Sequence, residues 1–200
     1  MGRSLVRGGV HLLCFVPLLT LATSGLLGEL GANPIEALVR GLGDWALRFL
    51  VLVLAVSPLR RLTGWSVLAG YRRMLGLWAF AYAGFHVASY VVLDQFFDWA
   101  NIGHEILQHK FITAGMVALS LMLPLAATST NAMIRRLGGR RWRRLHQAVY
   151  VVGPLAVIHY VWMVKADITQ PLVYAALIAV LLAYRGVMLL WDVRMGPSDQ

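Results

Sequence analysis

Leu145–Lys165, LHQAVYVVGPLAVIHYVWMVK, is apolar for about the length of a bilayer crossing, yet it carries His146 at its entry and His159 well inside. A histidine at hydrocarbon depth is costly unless it faces protein and finds a partner, so each is a candidate functional residue. On one helix the two lie roughly 20 Å apart along the axis at 1.5 Å per residue, as two stations on a path across a membrane. An ideal helix does not bring them to one face. Pro154 between them breaks an i−4 hydrogen bond and permits a kink; alternatively, the two stations use different neighbouring helices.

Working outward, the chain has 59% hydrophobic and 14% charged residues and a mean hydropathy of +0.68. A soluble domain carries about 25% charged residues. The composition is that of an all-α membrane protein with short loops, one domain over residues 1–200, and any soluble partner must be a separate chain. The net charge of +9 does not indicate nucleic acid. The basic residues cluster between apolar spans, which suits anionic lipid headgroups and topology determination. The single cysteine, Cys14, lies in an apolar run and excludes an internal disulfide, a cysteine-based metal site and a covalently attached c-type haem.

Six spans are predicted, at about 10–27, 44–58, 74–93, 111–127, 146–164 and 171–191, forming a six-transmembrane-helix bundle. The N-terminal stretch has the Arg3/Arg7-plus-apolar pattern of a signal peptide, but its apolar run is long enough to be a retained first helix. Arg60, Arg61, Arg72 and Arg73, then Arg135, Arg136, Arg140, Arg141, Arg143 and Arg144, and finally Arg185 and Arg194 all fall on one side. By the positive-inside rule both termini are cytoplasmic. The Arg135–Arg144 cluster is expected to set topology and bind lipid headgroups, with contact to a flavin phosphate or a cytoplasmic donor as a second reading.

The connectors are read as loops. Gly28–Gly43 is broken by Asn33-Pro34, and Leu59–Arg73 and Ser129–Arg144 are basic. Asp94–Lys110 is acidic, with Phe96, Phe97 and Trp99 as an interfacial belt and His104 and His109 as ordinary interfacial histidines. A polar tail, GPSDQ, ends the chain. Asp44 and Arg48 stand i,i+4 on the second span, spaced to pair near the interface.

Depth selects among the histidines. His86 on the third span and His159 on the fifth each lie roughly 17–18 Å past the cytoplasmic ends of their helices at 1.5 Å per residue. Two imidazoles from different helices at one level suit the two axial faces of an iron–porphyrin. Ala79 and Ala83 share the stripe of His86 and allow close approach of a helix or a flat cofactor. His146 sits at the cytoplasmic level as an inner ligand, with His11 as a possible partner. Simple packing histidines, and a proton relay or metal path, are the competing readings; a relay would usually bring carboxylates into the spans.

Three stretches together, LGLWAFAYAGFHVASY around His86, TSTNAMIRRLGGRRWRRLHQAVY leading to His146, and HYVWMVK beginning at His159, resemble the ferric-reductase-like transmembrane family. Nearly the whole chain is similar to its haem-binding bacterial members. The resemblance implies one or two b-type haems on His86, His159 and His146 and an electron-transfer subunit rather than a catalytic one. It further implies electrons from the respiratory quinone pool, an FMN associated with the subunit, and location in the bacterial inner membrane. The partner so implied is a periplasmic molybdopterin-containing methionine sulfoxide reductase forming a heterodimer with it. Oxidase relatives carry two histidines on the third helix, whereas this chain has Arg72 and Arg73 where the inner one falls. A stand-alone ferric or oxygen reductase and a histidine-based proton or metal transporter are the alternatives.

Overall fold

The computed structural model describes residues 2–195. The polar tail and the Arg3 side chain lie outside the described residues. Nine α-helices are found among the described residues: α1 Gly2–Leu26, α2 Pro34–Thr63, α3 Arg72–Ser89, α4 Trp99–Gln108, α5 Lys110–Ala127, α6 Asn131–Leu137, α7 Gly139–His146, α8 Val149–Met163 and α9 Thr169–Met195. A 3-10 turn, Ser66–Gly70, precedes α3, and a π-helical turn, Tyr90–Asp94, extends it. No strand occurs among the described residues.

Among the described residues five stretches are long and apolar enough to cross a membrane: Ser4–Leu26, Pro34–Thr63, Arg72–Asp94, Lys110–Ala127 and Thr169–Trp191. The chain is a membrane protein of all-helical architecture. The fifth predicted span is the departure. α8 has 15 residues, about 22 Å of helix at 1.5 Å per residue, against a hydrocarbon core of about 30 Å. The stretch read as one helix over 146–164 is divided at Gln147–Ala148, where short-range bonds such as Gln147 N–H to Arg144 O replace the regular pattern. His146 therefore closes α7, while His159 belongs to α8.

Other boundaries moved for local reasons. Asn33-Pro34 starts a helix instead of breaking a loop. Asn33 is the N-cap, its side-chain oxygen accepts from Glu36 N–H at 3.3 Å, its amide donates to the Glu36 carboxylate at 2.8 Å, and Pro34 opens the first turn. Such a reciprocal cap satisfies otherwise orphaned backbone donors, and proline costs nothing there because its missing N–H is not needed. α2 ends at Gly64, whose left-handed φ of 72° lets its N–H return to Arg60 O. The connectors read as loops also hold helices: α4 is capped by Asp98 onto Asn101 N–H (2.9 Å), and α6 by Thr130 onto Met133 N–H (3.2 Å). Between the π turn and α4, Phe96 and Phe97 adopt φ of 47° and 63°, a conformation that costs an aromatic residue about 1–3 kcal/mol.

α2 packs along α3, α5 along α8, and α9 against both α2 and α8; α1 lies on α2. Two apolar clusters hold this arrangement. Leu47, Leu50, Val53 and Leu54 of α2 meet Ala118, Val152, Val157 and Ile178. On the other side Cys14, Leu42, Phe49, Ala79 and Tyr82 join α1, α2 and α3, where Tyr82 donates to Cys14 O at 2.9 Å. Ala79 is thus a packing residue. The outward faces carry residues such as Leu12, Leu177 and Leu189, all exposed, as expected where the solvent is lipid.

Candidate functional site

His86 and His159 meet. Their ring centroids are 6.1 Å apart and the planes cross at 81°. His86 comes from the last turn of α3 and His159 from α8, so the depth argument from the sequence is reproduced by the packing of those helices. Each ring is held from behind by a backbone carbonyl. His86 Nδ1 lies 2.8 Å from Val39 O and His159 Nδ1 lies 2.6 Å from Phe111 O. A carbonyl only accepts, so Nδ1 carries the proton in both rings and Nε2 keeps its lone pair. That tautomer is the one in which an imidazole binds a metal through Nε2.

Glycine makes room for both rings. A Cβ at Gly115 would come within 2.8 Å of His159 Nδ1, and one at Gly43 within 3.1 Å of His86 Nδ1. Glycine at these two helix positions leaves the imidazoles their room beside α5 and α2, most tightly at Gly115. A further polar group points the same way: Tyr90, one turn past His86 on the same face, has a buried hydroxyl without a hydrogen-bond partner. A buried donor left unpaired is costly, and this hydroxyl is free to bond an acceptor.

Two histidines are too few for a bare ion. Among the described residues no three of His, Cys, Asp and Glu gather as a metal site. An iron that brings its own four equatorial nitrogens needs only two axial ligands, and this pair supplies two. The donor set, the tautomers and the glycine clearances fit an iron–porphyrin.

His146 stands elsewhere. Its ring stacks on Trp142 with centroids 4.0 Å apart, its Nε2 is 3.1 Å from Thr128 Oγ1, and Trp142 Nε1 donates to Thr128 O at 2.9 Å. Burial and, secondarily, the charge of Arg72 push its pKa below the ordinary histidine value. It lines a cavity of about 410 Å³ with Arg72, Arg73, Arg143, Arg185 and Trp142. Arg72 reaches Ser57 Oγ and Tyr150 Oη at 3.4 Å each, and Arg185 donates to Ser57 Oγ at 3.0 Å and lies 4.6 Å over the Tyr150 ring. His11 does not line this cavity; it accepts from Trp78 Nε1 at 3.0 Å.

Of the Arg135–Arg144 cluster only Arg143 faces this cavity. Arg72 and Arg73, which the resemblance put where an inner histidine falls, line it as well, and Arg185 was counted as a topology signal alone. Arg185 offered a clue, since it interrupts the apolar run of α9 and an arginine inside a span marks a functional interior. Asp44 and Arg48, expected to pair with each other, take other partners: Arg48 Nε donates to Tyr174 Oη at 3.1 Å and its guanidinium sits 4.5 Å over Trp45, while the Asp44 carboxylate accepts from Tyr160. His104 and His109 are exposed, as expected.

Residues 42–157 match the family model described as "Ferric reductase like transmembrane component", a range that holds His86 and His146 and stops two positions before His159. The chain is 50% identical to the "Protein-methionine-sulfoxide reductase heme-binding subunit MsrQ" of Rhodospirillum rubrum, over 90% of this chain and 86% of that protein. Proteins of the same name from Azospira oryzae and Caulobacter vibrioides are 51% and 46% identical, over 92% and 98% of this chain and 79% and 91% of theirs.

Proposed function

This chain belongs to the ferric-reductase-like transmembrane family and, within it, to the MsrQ heme-binding subunits, and from that premise we propose that it is a haem-carrying electron-transfer subunit. It passes electrons from the respiratory quinone pool, or from a cytoplasmic flavin donor, across the bacterial inner membrane. The acceptor is a periplasmic, molybdopterin-containing, MsrP-like methionine sulfoxide reductase that repairs oxidised proteins, with which it pairs as a heterodimer. The single observation that carries this reading is the facing pair His86–His159, each ring fixed by a backbone carbonyl in the ligating tautomer.

In this reading the chain is one domain of six spans, α8 being the shortest, with both termini cytoplasmic; the arginines of α6 and α7 support that orientation. His86 and His159 would hold a haem b through their free Nε2 atoms, and His146 would serve an inner one once its Nε2 leaves Thr128 Oγ1. Bound haem supplies one-electron exchange. The protein supplies everything else. Val39 O and Phe111 O orient the two imidazoles, Gly43 and Gly115 admit them, and Tyr90 offers a hydrogen bond to an acidic group of the cofactor. The apolar walls around them lower the dielectric and keep water from the ligands. On the other side, Arg72, Arg73, Arg143 and Arg185 around the His146 cavity suit a carboxylate or phosphate, because guanidinium forks match both. That chemistry fits a haem carboxylate, and it fits the FMN that the family resemblance implies. A bare-ion transporter is disfavoured by the two-ligand donor set.

The test is a visible spectrum of the purified protein, oxidised and then reduced with dithionite. Sharp bands that intensify on reduction are expected. A colourless preparation from cells well supplied with porphyrin refutes the reading. Turnover of ferric iron or oxygen at full rate without a periplasmic partner would favour a stand-alone reductase instead.

A further inference from the structure

The outer histidine pair is joined to the protein surface by a short run of rings. From His159 the next ring is Phe111, 6.0 Å away between centroids, and from Phe111 the next is His109, stacked at 5.6 Å with planes 21° apart. The same step is made through bonds, since His159 Nδ1–H donates to Phe111 O and Phe111 is two residues from His109 in the chain. Phe111 is half-buried and His109 is exposed, so the run starts in the interior and ends in water.

The corner where it surfaces is held still. His109 stands at the N-cap position of α5, and its Nε2 lies 3.0 Å from a carboxylate oxygen of Glu105 of α4. Thr113 Oγ1 bonds Ile106 O and His109 O across the junction. The charge of this corner is opposite to that of the whole. Residues 94–110 contain Asp94, Asp98 and Glu105 against one basic residue, Lys110, in a chain with 18 basic and 9 acidic residues. Beside the acidic rim stand exposed Phe96, Phe97 and Trp99, the first two in the left-handed backbone noted above. Aromatic anchors inside a charged rim are the usual make-up of a protein-binding patch.

We propose that Phe111 and His109 carry electrons out from the His86–His159 pair, and that the α4–α5 corner is where an electron-accepting protein with a basic docking face seats itself. The inference rests on the function proposed above, in which electrons leave toward a separate protein. Acidic rims of this kind raise association rates by steering, in a manner that salt screens.

The experiment uses the purified full chain, reduced anaerobically and mixed in a stopped flow with the purified molybdopterin-containing acceptor. Reoxidation is followed by absorbance, and a small-molecule oxidant, ferricyanide, serves as a docking-free control. Asp94→Lys with Asp98→Lys, which leaves the Glu105–His109 contact in place, is expected to leave haem content and spectrum unchanged. It should slow reoxidation by the protein acceptor at least tenfold at low salt and flatten the salt dependence, with ferricyanide rates unaltered. Phe111→Leu is expected to slow the saturated rate severalfold. Wild-type rates and salt dependence in the charge-reversed protein overturn the docking surface, and an unchanged saturated rate in Phe111→Leu overturns the path. If the wild-type chain itself passes no electrons to the protein acceptor, the functional reading fails, which is a different result from failure of the exit.

Discussion

The two histidine sites are built on different plans. At the outer one, two imidazoles from regular helices face each other, both Nδ1 atoms are tied to carbonyls and both Nε2 atoms keep their lone pairs. At the inner one, a single histidine ends a short helix, spends its Nε2 on Thr128 and borders a cavity of about 410 Å³ walled by four arginines. The first is a clamp arranged before any ligand arrives. The second is an open room with one histidine and a strong preference for negative charge. Preorganisation of this kind fixes what the outer site accepts, whereas the inner site leaves its second partner to the cofactor or donor that enters.

Six substitutions, in four steps, sharpen or break that contrast. The largest effect is expected from His86→Ala and His159→Ala, each of which removes one jaw of the clamp. Outer-site absorbance should disappear in either variant, while a pyridine haemochrome assay still finds inner haem. Full haem content in both would mean that the clamp is not the binding site.

Next comes the glycine pair. Gly115→Ala puts a methyl within 2.8 Å of a ring nitrogen that is already bonded to Phe111 O, and Gly43→Ala one at 3.1 Å from His86. Overpacking costs about 1–3 kcal/mol, or roughly 5- to 150-fold in affinity. Gly115→Ala should stand near the top of that range and Gly43→Ala near the bottom, as read by haem retention during detergent dilution. Equal retention in both would show that the rings have slack.

Thr128→Val acts only on the inner room. It removes the partner of His146 Nε2 at a cost to the fold of about 1 kcal/mol. The expected result is an altered inner-haem electron paramagnetic resonance signal with the outer signal intact. A change in the outer signal would show that the two sites are not separable.

The smallest effect is expected from Tyr90→Phe. With no acceptor in the protein, losing this hydroxyl should leave the melting temperature of the haem-free chain unchanged or slightly raised. Haem retention should fall severalfold, because the orphan donor is then missing when its acceptor arrives. Unchanged retention would leave Tyr90 without a role at the site.

What could be read from the sequence follows this same division. His86 and His159 were found by counting residues along two apolar runs, because depth in a membrane is nearly a linear function of position. The long helices α1, α3, α5 and α9 were legible for the same reason. The separation of His146 from the helix of His159 was not, since Gln147-Ala148 contains neither glycine nor proline and nothing local announces a break. The start of α2 was misread because Asn33-Pro34 serves equally as a loop signal and as a cap followed by a first turn. The roles of Gly43 and Gly115 were beyond reach: each is defined by a ring on another helix. Arg72, Arg73 and Arg185 converge only once α3, α8 and α9 are packed, so the walls of the inner cavity belong to tertiary structure alone.

The carbonyls behind the outer pair set more than direction. Drawing on both ring protons leaves the opposite nitrogens more electron-rich than those of a free imidazole. Donors of that kind favour a centre that has given up an electron over one that has kept it. In the proposed haem-carrying reading, the carbonyls of Val39 and Phe111 would thereby tilt the outer station toward spending its charge instead of storing it. If electrons pass this pair as proposed, the midpoint potential there would answer to two peptide groups that no side-chain replacement can erase.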